Sequence, residues 1–293
     1  MELQERLDEL ESAGIGAAAI SYDSPAVLQD FAERRGISFP LLSDEASEVI
    51  TRYGILNTVA EEALGAGEEN PDLVADVARY VSVFGAGQLF VGTPYPGTFV
   101  VDGDGRVTSR YFEEFYRERN TTTNVLLKEG IGVSPIEAIE GSSPQLDFTA
   151  WPSNTLVGMG TRFSIVIEVR PGENMHVYAP GAEGNGYRVI GLELAPSEMY
   201  RLEPVEYPDS EIYYFAPLDE YVPVFQEPFT ILQEVVMAAT PETEAALAEM
   251  ETITLSGFLS YQACDDAICY LPQSVPISFV LDSEGPDRLR ALQ

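Results

Sequence analysis

Beyond residue 160 the chain is cut into short runs of β-branched and aromatic residues by glycine and proline, and this limits the fold more than any other feature. Seven runs are visible: "RFSIVIEVR", "MHVYAP", "GYRVIGLELAP", "IYYFAP", "FTILQEVVM", "TITLSGFLSY" and "VPISFVL". Within "SIVIEV" and "TITLSGF" apolar and polar residues alternate, the period of a strand with one face buried. Runs of this length, separated by turn residues, predict an antiparallel β-sandwich. Only "TPETEAALAEM" (240–250) interrupts them, as a short helix.

The first half has a different texture. Leu3, Leu7 and Leu10 lie on one face of a helix that Gly14 stops. "GAAAISY" (16–22) has the pattern of a buried strand. Ser24-Pro25 then opens a helix that runs to Arg35 and ends at Gly36. "ISFPLLSD" (37–44) leads into another helix, which Gly54 terminates. Residues 58–90 read as a mostly helical insertion, and "TFVVD", "GDGR" and "VTSRYF" follow as strand, tight turn and strand. This alternation predicts an α/β domain over residues 1–125. The polar stretch "EGSSPQ" (140–145) suits a linker, placed over 126–144. The sandwich is then expected over 145–283, in the immunoglobulin size class, with a tail at 284–293.

A length of 293 residues accommodates two such domains. Forty-eight acidic residues face 16 basic ones, for a formal net charge of −32, and Lys128 is the one lysine. A field of that sign repels phosphate backbones and anionic membrane surfaces, which argues against nucleic acid and lipid headgroups as partners. No apolar window is long enough for a membrane span, and "MELQERLDELES" lacks the pattern of a signal peptide.

The two cysteines, Cys264 and Cys269, lie together in "YQACDDAICY". Such a pair can be a metal clip, a structural staple or a working dithiol. A zinc site needs about four ligands. Here there are two cysteines and a single histidine, His176, far away in sequence and expected on a strand without a functional role. Neither a metal nor any other cofactor is expected. A disulfide is geometrically feasible if the chain turns at "DDAI". A bridge over so small a loop stabilises little, which tilts the balance toward redox work and leaves the static staple open.

"AGIGAAAISYDSPAVLQDFAERRGISFPLLSD" with "YGI" and "PYPGTFVVDGDGRV" resembles the alkyl hydroperoxide reductase/thiol-specific antioxidant family, over about residues 3–120. The resemblance implies a thioredoxin-like fold and makes Pro96 a candidate cis-proline beside an active thiol. The family's catalytic cysteine has no counterpart here, since no cysteine precedes Cys264. A strand between "AAAIS" and "TFVVD" is also missing, so the thioredoxin-like domain is expected to be incomplete, through a start or boundary that omits its N-terminus or through re-pairing of the remaining strands.

"LSGFLSYQACDDAICYLPQSVPISFVL" resembles the N-terminal domain of the DsbD thiol:disulfide interchange family, over about residues 145–282. Tyr261, Gln262, Cys264, Cys269, Tyr270 and Pro272 carry the likeness; four residues separate the cysteines where well-known members have five. The resemblance implies an immunoglobulin-like sandwich whose Cys264–Cys269 pair exchanges electrons. It also implies a cap loop, Asp219, Glu220 and Tyr221 of "APLDEYVPVF", whose ring covers the pair. The implied partner is a redox protein, thioredoxin-like or a membrane electron donor, and the implied location is extracytoplasmic. The expected function is thiol–disulfide exchange. Two alternatives are a binding module with a static disulfide, and a peroxide-reducing enzyme whose catalytic N-terminus lies outside this sequence.

Overall fold

The computed structural model describes residues 2–57, 93–112, 118–135 and 137–285. The chain divides into two compact units, one built on residues 1–116 and the other on 117–288. The first is α/β and the second is β-rich.

In the first unit, α1 (Glu2–Glu5) and α2 (Leu7–Ser12) bury Leu7 and Leu10. Gly14 takes the left-handed conformation that ends this segment (φ 77°). β1 (Ala19–Ser21), α3 (Pro25–Arg35) and β2 (Leu41–Ser43) form a βαβ crossover with parallel strands in register Ala19↔Leu41. Pro25 fits the first turn of α3, where its missing N–H goes unneeded, and Gly36 closes the helix. The Asp44 carboxylate accepts the backbone N–H groups of Glu48 and Ile50 (3.0 and 2.8 Å) and so opens α4 (Glu48–Arg52). β3 (Gly97–Val101) and β4 (Val107–Phe112) pair as a hairpin whose turn is held by Asp102 Oδ1, which accepts from the N–H of Asp104 and Arg106.

Among the described residues β1–β2 and β3–β4 remain separate two-stranded sheets, so the alternative of direct re-pairing is not what the chain adopts. The Tyr95–Pro96 peptide is trans, which corrects the cis-proline expectation. Asn57 N–H donates to the Thr93 carbonyl and Tyr95 N–H to that of Ile55. Residues 93–95 therefore run extended into β3, and an extended entry has no use for the bend of a cis bond, whose trans form is favoured by about 0.5–1 kcal/mol. The insertion expected at 58–90 lies outside the described residues, as does the tail from residue 286 onward.

The second unit begins earlier than expected. β5 (Arg119–Asn120), α5 (Thr122–Lys128) and β6 (Ile139–Ser142) occupy the segment read as the end of one domain and a linker. β6 pairs with β7 (Leu146–Pro152), and Ser143 Oγ accepts the N–H groups of Gln145 and Leu146, so "EGSSPQ" is the end of a strand and the hairpin turn after it, not a linker. Polar turn chemistry and polar linker chemistry look alike in sequence; Ile139 aligned with Ala150 across the ladder is what distinguishes them.

The remaining strands are β8 (Leu156–Val157), β9 (Thr161–Pro171), β10 (His176–Tyr178), β11 (Gly191–Leu194), β12 (Tyr200–Leu202), β13 (Glu211–Phe215), β14 (Glu220–Phe225), β15 (Phe229–Met237), β16 (Thr252–Tyr261), β17 (Ala263–Cys264) and β18 (Gln273–Ser283). Helix α6 (Pro241–Glu249) precedes β16, with the Thr240 side chain capping it. One sheet runs β12-β15-β9-β7-β6 with β5 added to β9; a second runs β11-β16-β18-β8; a third runs β13-β14-β10-β17. Phe163, Ile165 and Ile167 of β9, Ile231 and Val235 of β15 and Leu255 and Leu259 of β16 are buried in one common core. Gly257 lets β11 approach β16, since a Cβ there would lie 2.1 Å from the Glu193 carbonyl oxygen.

A buried polar network joins α5 to the largest sheet. Glu234 of β15 meets the Lys128 ammonium and, at 2.5 Å, the Arg162 guanidinium of β9. Arg162 also pairs with Glu118 (2.9 Å), which accepts a two-pronged contact from Arg201 (2.7 and 2.8 Å). Asn124, fully buried, donates to Glu234 and accepts from Ser164. Burial alone would raise the Glu234 and Glu118 carboxyls, but the cations beside them outweigh it and hold both below the usual glutamate value.

Candidate redox site

β10 and β17 are antiparallel neighbours in register His176↔Cys264 and Val177↔Ala263. Side chains alternate across the sheet, so Val177 and Ala263 enter the large core while Tyr178 and Cys264 join a smaller cluster with Val222 and Val224 of β14. His176 shares that second face. The chain leaves β17 through a tight turn in which Asp265 N–H donates to the Ile268 carbonyl and Tyr270 N–H to that of Ala263. Asp265 Oδ1 accepts from the N–H of Ala267 (2.8 Å) and Ile268 (2.7 Å), and Oδ2 from the Tyr270 hydroxyl. These donors hold the Asp265 carboxyl below its ordinary value. Gln262 fixes the turn from behind, donating to the Tyr270 carbonyl and accepting the Arg188 N–H.

The turn brings the Cys264 and Cys269 α-carbons within 4.1 Å, and the two residues are joined by a disulfide. Cys264 is fully buried and Cys269 half-buried. The Tyr178 hydroxyl donates toward both sulfurs, at 2.8 Å from Cys264 Sγ and 3.2 Å from Cys269 Sγ. Tyr178 stacks on Tyr187 with ring centroids 4.0 Å apart, and the Tyr187 hydroxyl bonds to Glu220, which also accepts from Asn185. Burial, then the neighbouring Tyr187, pushes the Tyr178 phenol far above its ordinary range, so it stays a neutral proton donor. Such a donor favours negative charge on sulfur.

His176 is buried and packs against Tyr213, centroid to centroid 4.4 Å. Burial lowers its pKa, opposed by Asp266 and Asp265. Tyr213 donates to Asp266 Oδ1 (2.6 Å), and this bond, with partial burial, pushes its phenol up to about 12. On the rim Ile268 and Leu271 are 57% and 80% exposed. An open cleft of about 470 Å³ adjoins Tyr187, lined by Glu183, Arg188, Val189 and Pro272.

The residues expected to form the cap lie at the β13–β14 turn and the start of β14. Glu220 reaches the site indirectly, through Tyr187. Asp219 sits in the β13–β14 turn with φ 55° and accepts from the Tyr214 hydroxyl. Tyr221 is 69% exposed and lies beside Tyr214 on the face opposite Val222 and Val224. Strand alternation therefore turns its ring away from the sulfurs. The aromatic rings that do line the pair's surroundings, Tyr178, Tyr187 and Tyr213, were missed in the sequence. The spacing of His176 and Tyr178 about Val177 was the available signal, since it puts two polar-tipped rings on one strand face.

Residues 1–110 match the AhpC/TSA family. Over 117 residues the chain is 29% identical to peroxiredoxin Bcp of Escherichia coli (strain K12), covering 39% of this chain and 56% of that protein. Over 106 residues it is 30% identical to a putative peroxiredoxin of Mycobacterium tuberculosis (strain H37Rv), covering 36% and 52%. The chain thus spans about half the length of the curated relatives it matches. Among solved structures it is similar to the reduced N-terminal domain of Neisseria meningitidis DsbD, with 15% identity, a TM-score of 0.28, and coverage of 42% of this chain and 78% of that one. It is also similar to the N-terminal periplasmic domain of ScsB from Proteus mirabilis, with 13% identity, a TM-score of 0.33, and coverage of 50% and 52%. Both families named from the residues recur among these matches. Among the described residues no helix is long and apolar enough to cross a membrane.

Proposed function

We propose that this chain is a thiol–disulfide oxidoreductase that exchanges electrons through Cys264 and Cys269, with a thioredoxin-like domain ahead of an immunoglobulin-like sandwich. The observation that carries the reading is the buried Tyr178 hydroxyl within hydrogen-bond distance of both sulfurs, in a cluster with Ala182, Val222 and Val224. A disulfide kept only as a staple has no use for a buried proton donor aimed at its sulfurs.

The geometry supports a direction of attack. A partner thiolate reaches the half-buried Cys269 Sγ more readily than the buried Cys264. A bond forms between the partner sulfur and Cys269, the Cys264–Cys269 bond breaks, and its electron pair stays on Cys264 beside the Tyr178 hydroxyl. A second partner thiol then attacks the partner's own sulfur in the mixed disulfide and frees Cys269, leaving the partner oxidised and the pair reduced. The partner class is a dithiol protein, thioredoxin-like or a membrane electron donor, docking over the apolar rim of Ile268 and Leu271.

Equilibration with glutathione buffers tests the proposal. An exchanging pair is expected between about −120 and −270 mV, whereas a value below about −300 mV identifies a static bridge and overturns the reading. Cys264→Ser, whose Cys269 is a free thiol, should trap a mixed disulfide at Cys269 with the oxidised, disulfide form of the partner, and Cys269→Ser should trap far less. The match of residues 1–110 to a peroxiredoxin family favours peroxide reduction as a second reading. Both cysteines lie outside that match. Dithiol-dependent peroxide consumption that survives replacement of both cysteines by serine would rule out any role of the pair in it.

A further inference from the structure

His176 is the single histidine of the chain, and its side chain is 1% exposed. Its Nε2 is buried without a hydrogen-bond partner. Leaving such an atom unsatisfied costs about 1–3 kcal/mol. The groups that face the imidazole are few. Tyr178 lies on its own strand, Tyr213 packs on it from β13, and Asp265 and Asp266 come from the cysteine turn. Cys264 stands opposite on β17. Glu220 of β14 is engaged by Tyr187 and Asn185. Asp266 and Asp265 are in turn occupied by Tyr213 and by the turn's own donors.

Cross-strand partners on one face hold their Cβ atoms about 4.5–5.5 Å apart, so residues 176 and 264 stand opposite each other on the face that carries the disulfide. In the closed disulfide the Cys264 sulfur bears neither a proton nor a charge, and Nε2 makes no hydrogen bond to it. Opening the bond turns it into a thiol or thiolate, the kind of group an unpartnered imidazole nitrogen can serve.

We propose that His176 is the proton acceptor coupled to Cys264, taking up a proton when the Cys264–Cys269 bond opens and returning it when the bond closes. The inference rests on the pair being redox-active and assigns it a proton-handling residue. In the exchange, the sulfur of a partner thiol bonds to Cys269 and the electron pair of the broken bond goes to Cys264. The proton that the partner thiol releases in becoming the attacking thiolate is matched by one taken up at His176 Nε2, giving an imidazolium beside the Cys264 thiolate. In the reverse step the Cys264 thiolate attacks Cys269, and the imidazolium proton returns to the departing partner sulfur. Tyr178 donates a hydrogen bond to the same sulfur but keeps its own proton. The closed state keeps the imidazole neutral, because burial outweighs the pull of the two aspartates.

A single histidine allows a direct test by NMR of the imidazole in the full chain, oxidised and after reduction by a phosphine. Phosphine reduction needs no protein thiol, so the measurement is independent of whether the pair exchanges with partners. The titration midpoint is expected to rise by about one pH unit or more on reduction, a tenfold gain in proton affinity. Cys269→Ser, which leaves Cys264 permanently free, should show the same rise without any reductant. In that background His176→Phe keeps a ring against Tyr213 and should slow alkylation of Cys264 near pH 7 about tenfold, by lowering the thiolate fraction. An imidazole titration identical in the oxidised protein and in Cys269→Ser overturns the proposal. So does an alkylation–pH profile unmoved by His176→Phe. A pair that resists glutathione yet shows the redox-linked shift would remove the exchange reading and leave the proton coupling standing.

Discussion

At the scale of single residues, Tyr178 shows how a side chain acquires a role from its surroundings. On an exposed strand its phenol would be an ordinary polar tip. Here burial and the stacked Tyr187 keep it protonated while its hydroxyl faces two sulfurs. Tyr178→Phe removes the donor without changing the ring. A hydrogen bond to a charged group is worth about 1.5–3 kcal/mol. Loss of that stabilisation of a Cys264 thiolate should make the pair's reduction potential more negative by about 30–60 mV, measured against glutathione. An unchanged potential would show that the hydroxyl does not act on the reduced state. The cysteines were legible because their spacing forces a local turn. Tyr178 was not, since its approach to Cys264 depends on two strands 86 positions apart pairing in one register.

Among the elements, α5 is the instructive case. In sequence its residues look like the end of a domain, yet Val125, Leu126 and Asn124 are buried against the largest sheet. The lone lysine closes the arrangement: Lys128 meets Glu234, 106 positions away, and Arg162 approaches the same carboxylate. Glu234 has its folded pKa depressed, so its stabilising contribution is present above the ordinary value of 4.5 and is lost as pH falls through the folded value. Glu234→Gln removes the buried carboxylate that Lys128 and Arg162 share, leaving Arg162 to Glu118, and should lower stability at pH 7 by about 3–5 kcal/mol in urea melts. The gap between wild type and variant should narrow as pH falls from 4.5 toward the depressed folded value, because the unfolded carboxyl protonates first and the folded one only at the end of that range. A gap that stays constant into acid would mean that the pairing contributes nothing. "EGSSPQ" carries the same lesson: Ser143 caps a hairpin turn, and only the pairing of β6 with β7 separates a turn from a linker.

For the whole molecule the dominant quantity is charge. A surplus of 32 negative charges makes self-repulsion the main long-range electrostatic contribution, against a limited set of ion pairs. Salt screens that repulsion as the Debye length falls from about 10 Å at 0.1 M to about 3 Å at 1 M. Thermal melts between those concentrations should therefore show Tm rising by several degrees. A falling Tm would place the balance with the ion-pair network of Glu118, Arg162 and Glu234. The sequence by itself determined the two textures of the chain, the helix ends at Gly14, Gly36 and Gly54, the strands β9, β10, β11, β13, β15, β16 and β18 and the local turn that lets Cys264 meet Cys269. Periodicity, caps and turn residues act over a few positions, so they can be read without knowing the fold. Tertiary structure alone decided that β1–β2 and β3–β4 form separate sheets, that Tyr221 faces away from the disulfide, and that Tyr178 and His176 face Cys264. Those outcomes follow from which distant strands pair and in which register, and a shift of one residue would turn each of these side chains to the opposite face.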